Sequence, residues 1–289
     1  MTTNGKEHPE EDSALSDQSG KPTPGRATEI DHGRIIDSGT AAWQFAPLHG
    51  GRLQSWQWRT LPPPEALRPS TRHNPPRPFD LVDSRHGALV DHFLPLGTTY
   101  DEFAEGKYRE FGDFVDLPYT WEIADLGGEA RINMLRDGII RAGKREAEVR
   151  LMKSAGARTG SSDLSVLYRV INSSMRPIQI LFAVEYNLLV PGPAAESLDA
   201  SDGVYLIDGA YPGDPSLTSV GRSVGATSLA LANPQAEMAL QLGWDRECDL
   251  WRMPLSGDEG TRAVRIVAAW RLSLAPEDNW ALGLWLAPG

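Results

Sequence analysis

The chain has 289 residues, of which 40% are hydrophobic and 23% charged, a balance that supports a large buried core and excludes a wholly disordered chain. Its formal charge of −11 opposes sequence-independent attraction to nucleic-acid backbones and anionic lipids, so neither is an expected partner. The single cysteine, Cys248, rules out an internal disulfide and, with no His or Cys cluster around it, gives no metal-ligand spacing.

From Met1 to Ile30 the residues are mostly Gly, Ser, Pro, Glu, Asp and Lys, which predicts a disordered acidic tail over residues 1–30 and a folded domain over 31–289. The first residues show no signal-peptide core, and no later stretch approaches the ~20 apolar residues of a membrane span, so the expected address is cytoplasmic. If their segment is a strand, Trp56 and Trp58 share one of its faces, where flat indoles suit sugar stacking or core packing. The Pro- and Arg-rich stretch from Leu61 to Pro78 predicts an irregular surface loop. Asp91 and His92 then set a carboxylate and an imidazole just before the Pro95-Leu96-Gly97 loop, a pair suited to acid–base work or to bonding nearby backbone. The stretch from Tyr100 to Trp121 is dense in aromatics and acids and predicts a packed rim beside a binding face, or a plug at the end of a sandwich.

Strands are expected around Ala130 to Leu135 and Glu146 to Met152. Leu164, Val166, Tyr168 and Val170 alternate with polar residues, Asn172-Ser173-Ser174 reads as a turn, and Ile178 to Leu189 returns, so a hairpin is expected. In the returning strand Ile180, Phe182, Val184, Tyr186 and Leu188 share a face, which turns Glu185 and Asn187 to the other. There they can bind hydroxyl groups, or pair with an Arg or Lys across the strands. Further strands are expected around Gly203 to Ile207, Ser228 to Leu231 and Glu237 to Leu242. At the end of the chain, Val264 to Leu274 and Trp280 to Leu286 alternate with period two around Pro276-Glu277-Asp278-Asn279, predicting a final hairpin. Many short strands in succession predict an all-β fold of stacked antiparallel sheets. No Gly-rich phosphate loop, zinc spacing, nucleophile elbow or dinucleotide fingerprint occurs, so no cofactor or metal is expected.

Three segments, in order, carry a resemblance: Ala88-Leu89-Val90-Asp91-His92-Phe93-Leu94, Gly112-Asp113-Phe114-Val115-Asp116-Leu117-Pro118-Tyr119, and Phe182-Ala183-Val184-Glu185-Tyr186-Asn187-Leu188-Leu189. They resemble the C-terminal domain of the prokaryotic α-amylases and 4-α-glucanotransferases of glycoside hydrolase family 57, over roughly Thr40 to Gly289. The resemblance implies a large antiparallel β-sandwich of the galactose-mutarotase-like type. It also implies that the catalytic carboxylates belong to a separate N-terminal barrel, for which this sequence has no segment of sufficient length. Pro62-Pro63-Pro64 and Arg72-His73-Asn74 depart from the Asn-rich strand and Tyr-His ending expected after Gly50-Gly51.

The expected function is therefore a non-catalytic module that binds α-glucan or an oligosaccharide, or supports a separately encoded glycoside hydrolase. Trp56, Trp58, Asp91, His92, Trp121, Glu185 and Asn187 are its candidate carbohydrate-binding residues, with no catalytic residue assigned. An aldose epimerase using a His/carboxylate pair is the enzymatic alternative, because sandwiches of this type also serve such enzymes. A purely structural interaction domain is the third.

Overall fold

The computed structural model describes residues 26–30, 33–59, 80–81, 87–190, 203–233, 238–255 and 262–289. Residues 1–25 and the expected loop from Leu61 to Pro78 lie outside the described residues. Arg26–Ile30, which composition assigns to the tail, is instead the first strand, paired in register with the next.

The strands, in chain order, are β1 (Arg26–Ile30), β2 (Gly33–Asp37), β3 (Ala41–Ala46), β4 (Arg52–Trp58), β5 (Asp80–Leu81), β6 (Ala88–Leu94), β7 (Thr120–Asp125), β8 (Glu129–Ala142) and β9 (Arg145–Arg158). They continue with β10 (Leu164–Asn172), β11 (Ile178–Val190), β12 (Val204–Ile207), β13 (Gly221–Asn233), β14 (Met238–Leu255), β15 (Arg262–Leu274) and β16 (Asn279–Pro288). A short helix, α1 (Tyr100–Ala104), follows β6. Its start is fixed by a capping box: Thr99 accepts from the Glu102 amide, and the Glu102 carboxylate accepts from the Thr99 amide.

All pairings are antiparallel, and the ribbon runs β1-β2-β3-β4-β6-β11-β15-β14-β16-β10-β9-β8-β7. It folds back on itself at β14. The second half of that strand, Asp249 to Leu255, pairs with β15, while the first half, Leu240 to Trp244, pairs with β16. Register shifts against β13 around Ala226 supply the bulge that lets a strand pass from one sheet to the other. The result is a β-sandwich: one layer carries β6, β11 and β15, the other β16, β10, β9, β8 and β7.

The inner faces meet in one apolar core. Phe182 of β11 lies 5.8 Å from Tyr168 of β10 and 5.7 Å from Trp280 of β16, ring centre to ring centre. The expected alternation of β11 holds, since Ile180, Phe182, Val184, Tyr186 and Leu188 are all buried in this core.

Neither expected hairpin forms. β10 pairs with β9 and β16, and β11 with β15, β5 and β6. β15 and β16 likewise lie in opposite layers. Both tight connections are arches that cross the core, and Asn172 ties them together. Its side-chain amide donates to the carbonyls of Arg176, Leu274 and Ala275, at 2.8, 3.1 and 3.0 Å.

Candidate functional site

Strand β6 is central in its layer, and its successive side chains divide between two chemistries. Leu89 takes φ +59° and is the extra residue of a bulge, because Glu185 pairs with Val90 while Tyr186 pairs with Ala88. A leucine in the left-handed region is strained by about 1–3 kcal/mol. The strain is held from the core side: the Lys153 ammonium donates to the Leu89 carbonyl at 2.8 Å, to the Gly51 carbonyl at 3.0 Å and to Asp91 Oδ2 at 2.7 Å. All three donors of the ammonium are thereby used. Asp91 also accepts from the hydroxyls of Tyr168 at 2.9 Å and Tyr119 at 3.1 Å.

Burial pushes the Asp91 carboxyl up and the Lys153 amine down, each toward its neutral form, and their mutual attraction opposes both shifts. Burial also raises both tyrosines well above their ordinary range, so they remain protonated donors. Asp91 thus belongs to a closed polar knot between the layers and is completely buried.

His92 points the opposite way, as the next residue of a strand must. Its Nδ1 lies 2.9 Å from Glu110 Oε2 and its Nε2 3.0 Å from Glu185 Oε2. Glu110 reaches this position because its other oxygen accepts from the backbone amides of Phe93 at 2.8 Å and Gly112 at 3.1 Å. Glu185 also accepts from the Asn187 side-chain amide at 2.7 Å and pairs with Arg265 at 3.3 Å. Arg265 is the partner of Asn187 in the β11–β15 register.

Phe103 of α1 and Tyr108 close over the imidazole edge-on, with ring centres 5.4 and 5.8 Å away. These two rings stack on each other at 4.4 Å. Beneath α1 a second apolar cluster of Leu94, Leu181, Ala183, Trp251 and Val267 seals this outer face. His92 is 2% and Glu185 6% exposed.

Burial alone would lower the His92 pKa, but the hydrogen bonds and charges of Glu110 and Glu185 outweigh it and raise the pKa to about 10. For Glu185, burial would raise the pKa, and the bonds and charges of His92, Arg265 and Asn187 bring it down to about 2. The cluster is therefore an imidazolium clamped between two carboxylates at neutral pH.

The sequence-derived candidates separate accordingly. His92, Glu185 and Asn187 come together on the outer face, while Asp91 lies in the knot on the inner face. Trp56 is 3% exposed in the core, opposite Trp43 in the β3–β4 register. Trp58 stacks on it with ring centres 5.6 Å apart and donates to the Ser162 carbonyl at 3.3 Å. Trp121 is half-buried at the edge of the other layer, with the Arg34 guanidinium 3.6 Å from its ring centre.

Sequence reasoning did not single out Glu110, Tyr108, Lys153 or Arg265 as site residues. Alternation places Arg265 on the polar face of its strand, but only the observed β11–β15 pairing sets it against Asn187. Glu110 lies within the acid- and aromatic-rich stretch from Tyr100 to Trp121 expected to rim a binding face, but as part of an irregular loop it had no periodicity to pick it out from its neighbours. Among the described residues, no group of three or more His, Cys, Asp or Glu side chains is placed to hold a metal ion.

Residues 82–260 match the family described as alpha-amylase/4-alpha-glucanotransferase, C-terminal. The chain belongs to that family. Its relatives include an alpha-amylase of Pyrococcus furiosus, 33% identical over 120 residues, which is 42% of this chain and 15% of the amylase. The 4-alpha-glucanotransferase of Thermococcus litoralis is 31% identical over 102 residues, 35% of this chain and 14% of that protein. The chain thus spans about a seventh of the length of these relatives in sequence.

In three dimensions the crystal structure of the Thermococcus litoralis enzyme superposes with a TM-score of 0.61 at 17% identity, over 92% of this chain and 39% of that one. A galactose mutarotase-like protein of Clostridium acetobutylicum superposes with a TM-score of 0.62 at 11% identity, over 91% of this chain and 98% of that one. The alpha-amylase/4-alpha-glucanotransferase C-terminal domain is therefore a β-sandwich of the galactose-mutarotase-like kind here, as the resemblance implied.

Proposed function

We propose that this domain is a non-catalytic carbohydrate module that binds α-glucan, acting by itself or beside a separately encoded sugar-processing enzyme. The observation that carries the non-catalytic half is the saturation of His92. Both ring nitrogens are held by carboxylates beneath two aromatic rings, and an imidazole acting as acid–base catalyst needs one nitrogen within reach of the substrate. A pKa of about 10 further mismatches the group to proton exchange near neutrality. Family membership supports the α-glucan half, because the relatives are named for chemistry on that polymer.

Two measurements test the reading. Polarimetry with freshly dissolved α-glucose and α-galactose is expected to follow the buffer rate; acceleration abolished in His92→Gln would establish the aldose-epimerase alternative instead. Retention on amylose resin with release by free maltose is expected, and passage straight through the resin would contradict α-glucan binding.

A further inference from the structure

The outer face of the layer formed by β7, β8, β9, β10 and β16 carries an apolar diagonal. Trp285, Leu167 and Met152 are 42%, 48% and 39% exposed. They lie on neighbouring strands: Leu167 pairs with Gly283, two residues before Trp285, and with Ser154, two residues after Met152. Met152 in turn pairs with Leu135 of β8. Four intervals between these five strands at ~4.8 Å make the face about 19 Å wide.

Two glycines shape the end of this diagonal. Gly243 lies opposite Trp285, and a Cβ at Gly243 would fall on the indole itself, so the ring lies directly against bare backbone while remaining 42% exposed. At Gly283 a Cβ would sit 3.0 Å from Asp245 Oδ2, so the missing side chain makes room for a carboxylate over the backbone two residues before Trp285.

Beside the apolar line runs a polar row joined across three strands. The Asn133 amide donates to Glu122 at 3.0 Å, Ser154 donates to Asn133, and Arg131 donates to Ser154 at 3.0 Å. An open cleft of 570 Å³ lies along this row, lined by Trp121, Glu122, Asn133, Met152, Ser154 and Leu167 among others. That volume lies within the range of small-ligand sites.

Resting on the α-glucan reading above, we infer that this face is where the glucan lies, with Trp285 as the stacking platform and the Glu122–Asn133–Ser154 row facing its hydroxyls. A pyranose has an apolar C–H face and a hydroxyl-bearing edge, which matches an exposed indole and a line of aliphatic side chains bordered by amide, hydroxyl and carboxylate groups. The apolar line is one side chain wide, well short of the ~800 Å² per partner that a stable protein interface covers. Charges of both signs are interspersed on the face, with Arg150 paired to Asp137 at 2.6 Å and Arg131 to Glu129, and Glu122 and Arg169 along the cleft, so it carries no single-signed field for a charged partner. A neutral polyhydroxyl ligand fits both facts.

Affinity electrophoresis of the whole chain through native gels with and without soluble amylose tests this assignment. Wild type should be retarded by amylose, with Trp285→Ala and Leu167→Gln each weakening the apparent affinity about tenfold or more, equivalent to about 1.4 kcal/mol. Met175→Ala, exposed on the β10–β11 arch, should match wild type. If wild type is retarded and both platform variants are retarded equally, the platform is wrong and the α-glucan reading stands. If wild type runs unretarded, both fall. Circular dichroism of each variant establishes that it is folded, and Leu167→Gln keeps the test valid if loss of the indole over Gly243 weakens the sheet.

Discussion

Asp91 and His92 are adjacent and both buried, yet they do unrelated work because a strand sends them to opposite faces. Lys153 holds the strained backbone at Leu89 by donating to its carbonyl, while its other two donors are engaged by the Gly51 carbonyl and Asp91. Replacing it with methionine leaves Asp91 buried without its counter-charge, and the expected loss is about 3–5 kcal/mol, measured as a shift of the urea unfolding midpoint. Tyr168→Phe, which removes one donor to Asp91, should cost about 2 kcal/mol.

The outer cluster makes a separate, pH-dependent prediction. The folded His92 pKa of about 10 lies above its ordinary 6.5, so its contribution is complete below pH 6.5 and is lost as pH rises toward 10. The folded Glu185 pKa of about 2 lies below its ordinary 4.5, so its contribution is complete above pH 4.5 and is lost as pH falls toward 2. The stability difference between wild type and His92→Gln should therefore be largest between pH 4.5 and 6.5 and shrink toward pH 10. A difference that stays constant across that alkaline range would show that His92 is not held as an imidazolium.

Among the elements, alternation located the strands of the second half of the chain, from β8 onward, and told which face of β11 enters the core, because period two is a direct consequence of backbone geometry; it did not mark β1, β2, β3, β5 or β7. It did not tell which strands pair. The connection from β10 to β11 and that from β15 to β16 both look like hairpin turns, and a turn sequence specifies a tight reversal without specifying whether the return stays in the same sheet. Asn172 makes the difference here by bonding carbonyls from both arches. Asn172→Ala should cost about 2 kcal/mol or more, the sum of several modest hydrogen bonds with their carbonyls left buried. Ser165→Ala on the outer surface of β10 removes only a single bond to the Gly156 carbonyl and should cost about 1 kcal/mol or less. The site was partly legible on the same terms: Glu185 and Asn187 follow from alternation, whereas Arg265 depends on the β11–β15 pairing that alternation left open. Glu110 and the covering rings of Phe103 and Tyr108 depend on a loop path that no periodicity encodes. The tryptophans that looked best suited to stacking, Trp56 and Trp58, are taken up in packing, whereas Trp285 sits at the end of a strand whose alternation gave no reason to separate it from its neighbours.

At the scale of the whole molecule, a galactose-mutarotase-like sandwich has one central face closed by α1 and an aromatic pair, and an opposite outer face left open with a polar row and an indole. Closing the first removes the histidine from solution chemistry. Leaving the second open suits a polymer that lies across strands. The central claim, that the domain recognises α-glucan without transforming it, is tested most directly by isothermal titration with maltoheptaose, using cellohexaose as the control and reducing-end analysis of the recovered sugar. Saturable heat with maltoheptaose alone, and sugar recovered unchanged, is the predicted result; no heat with either sugar, or recovery of shortened or lengthened chains, would contradict it.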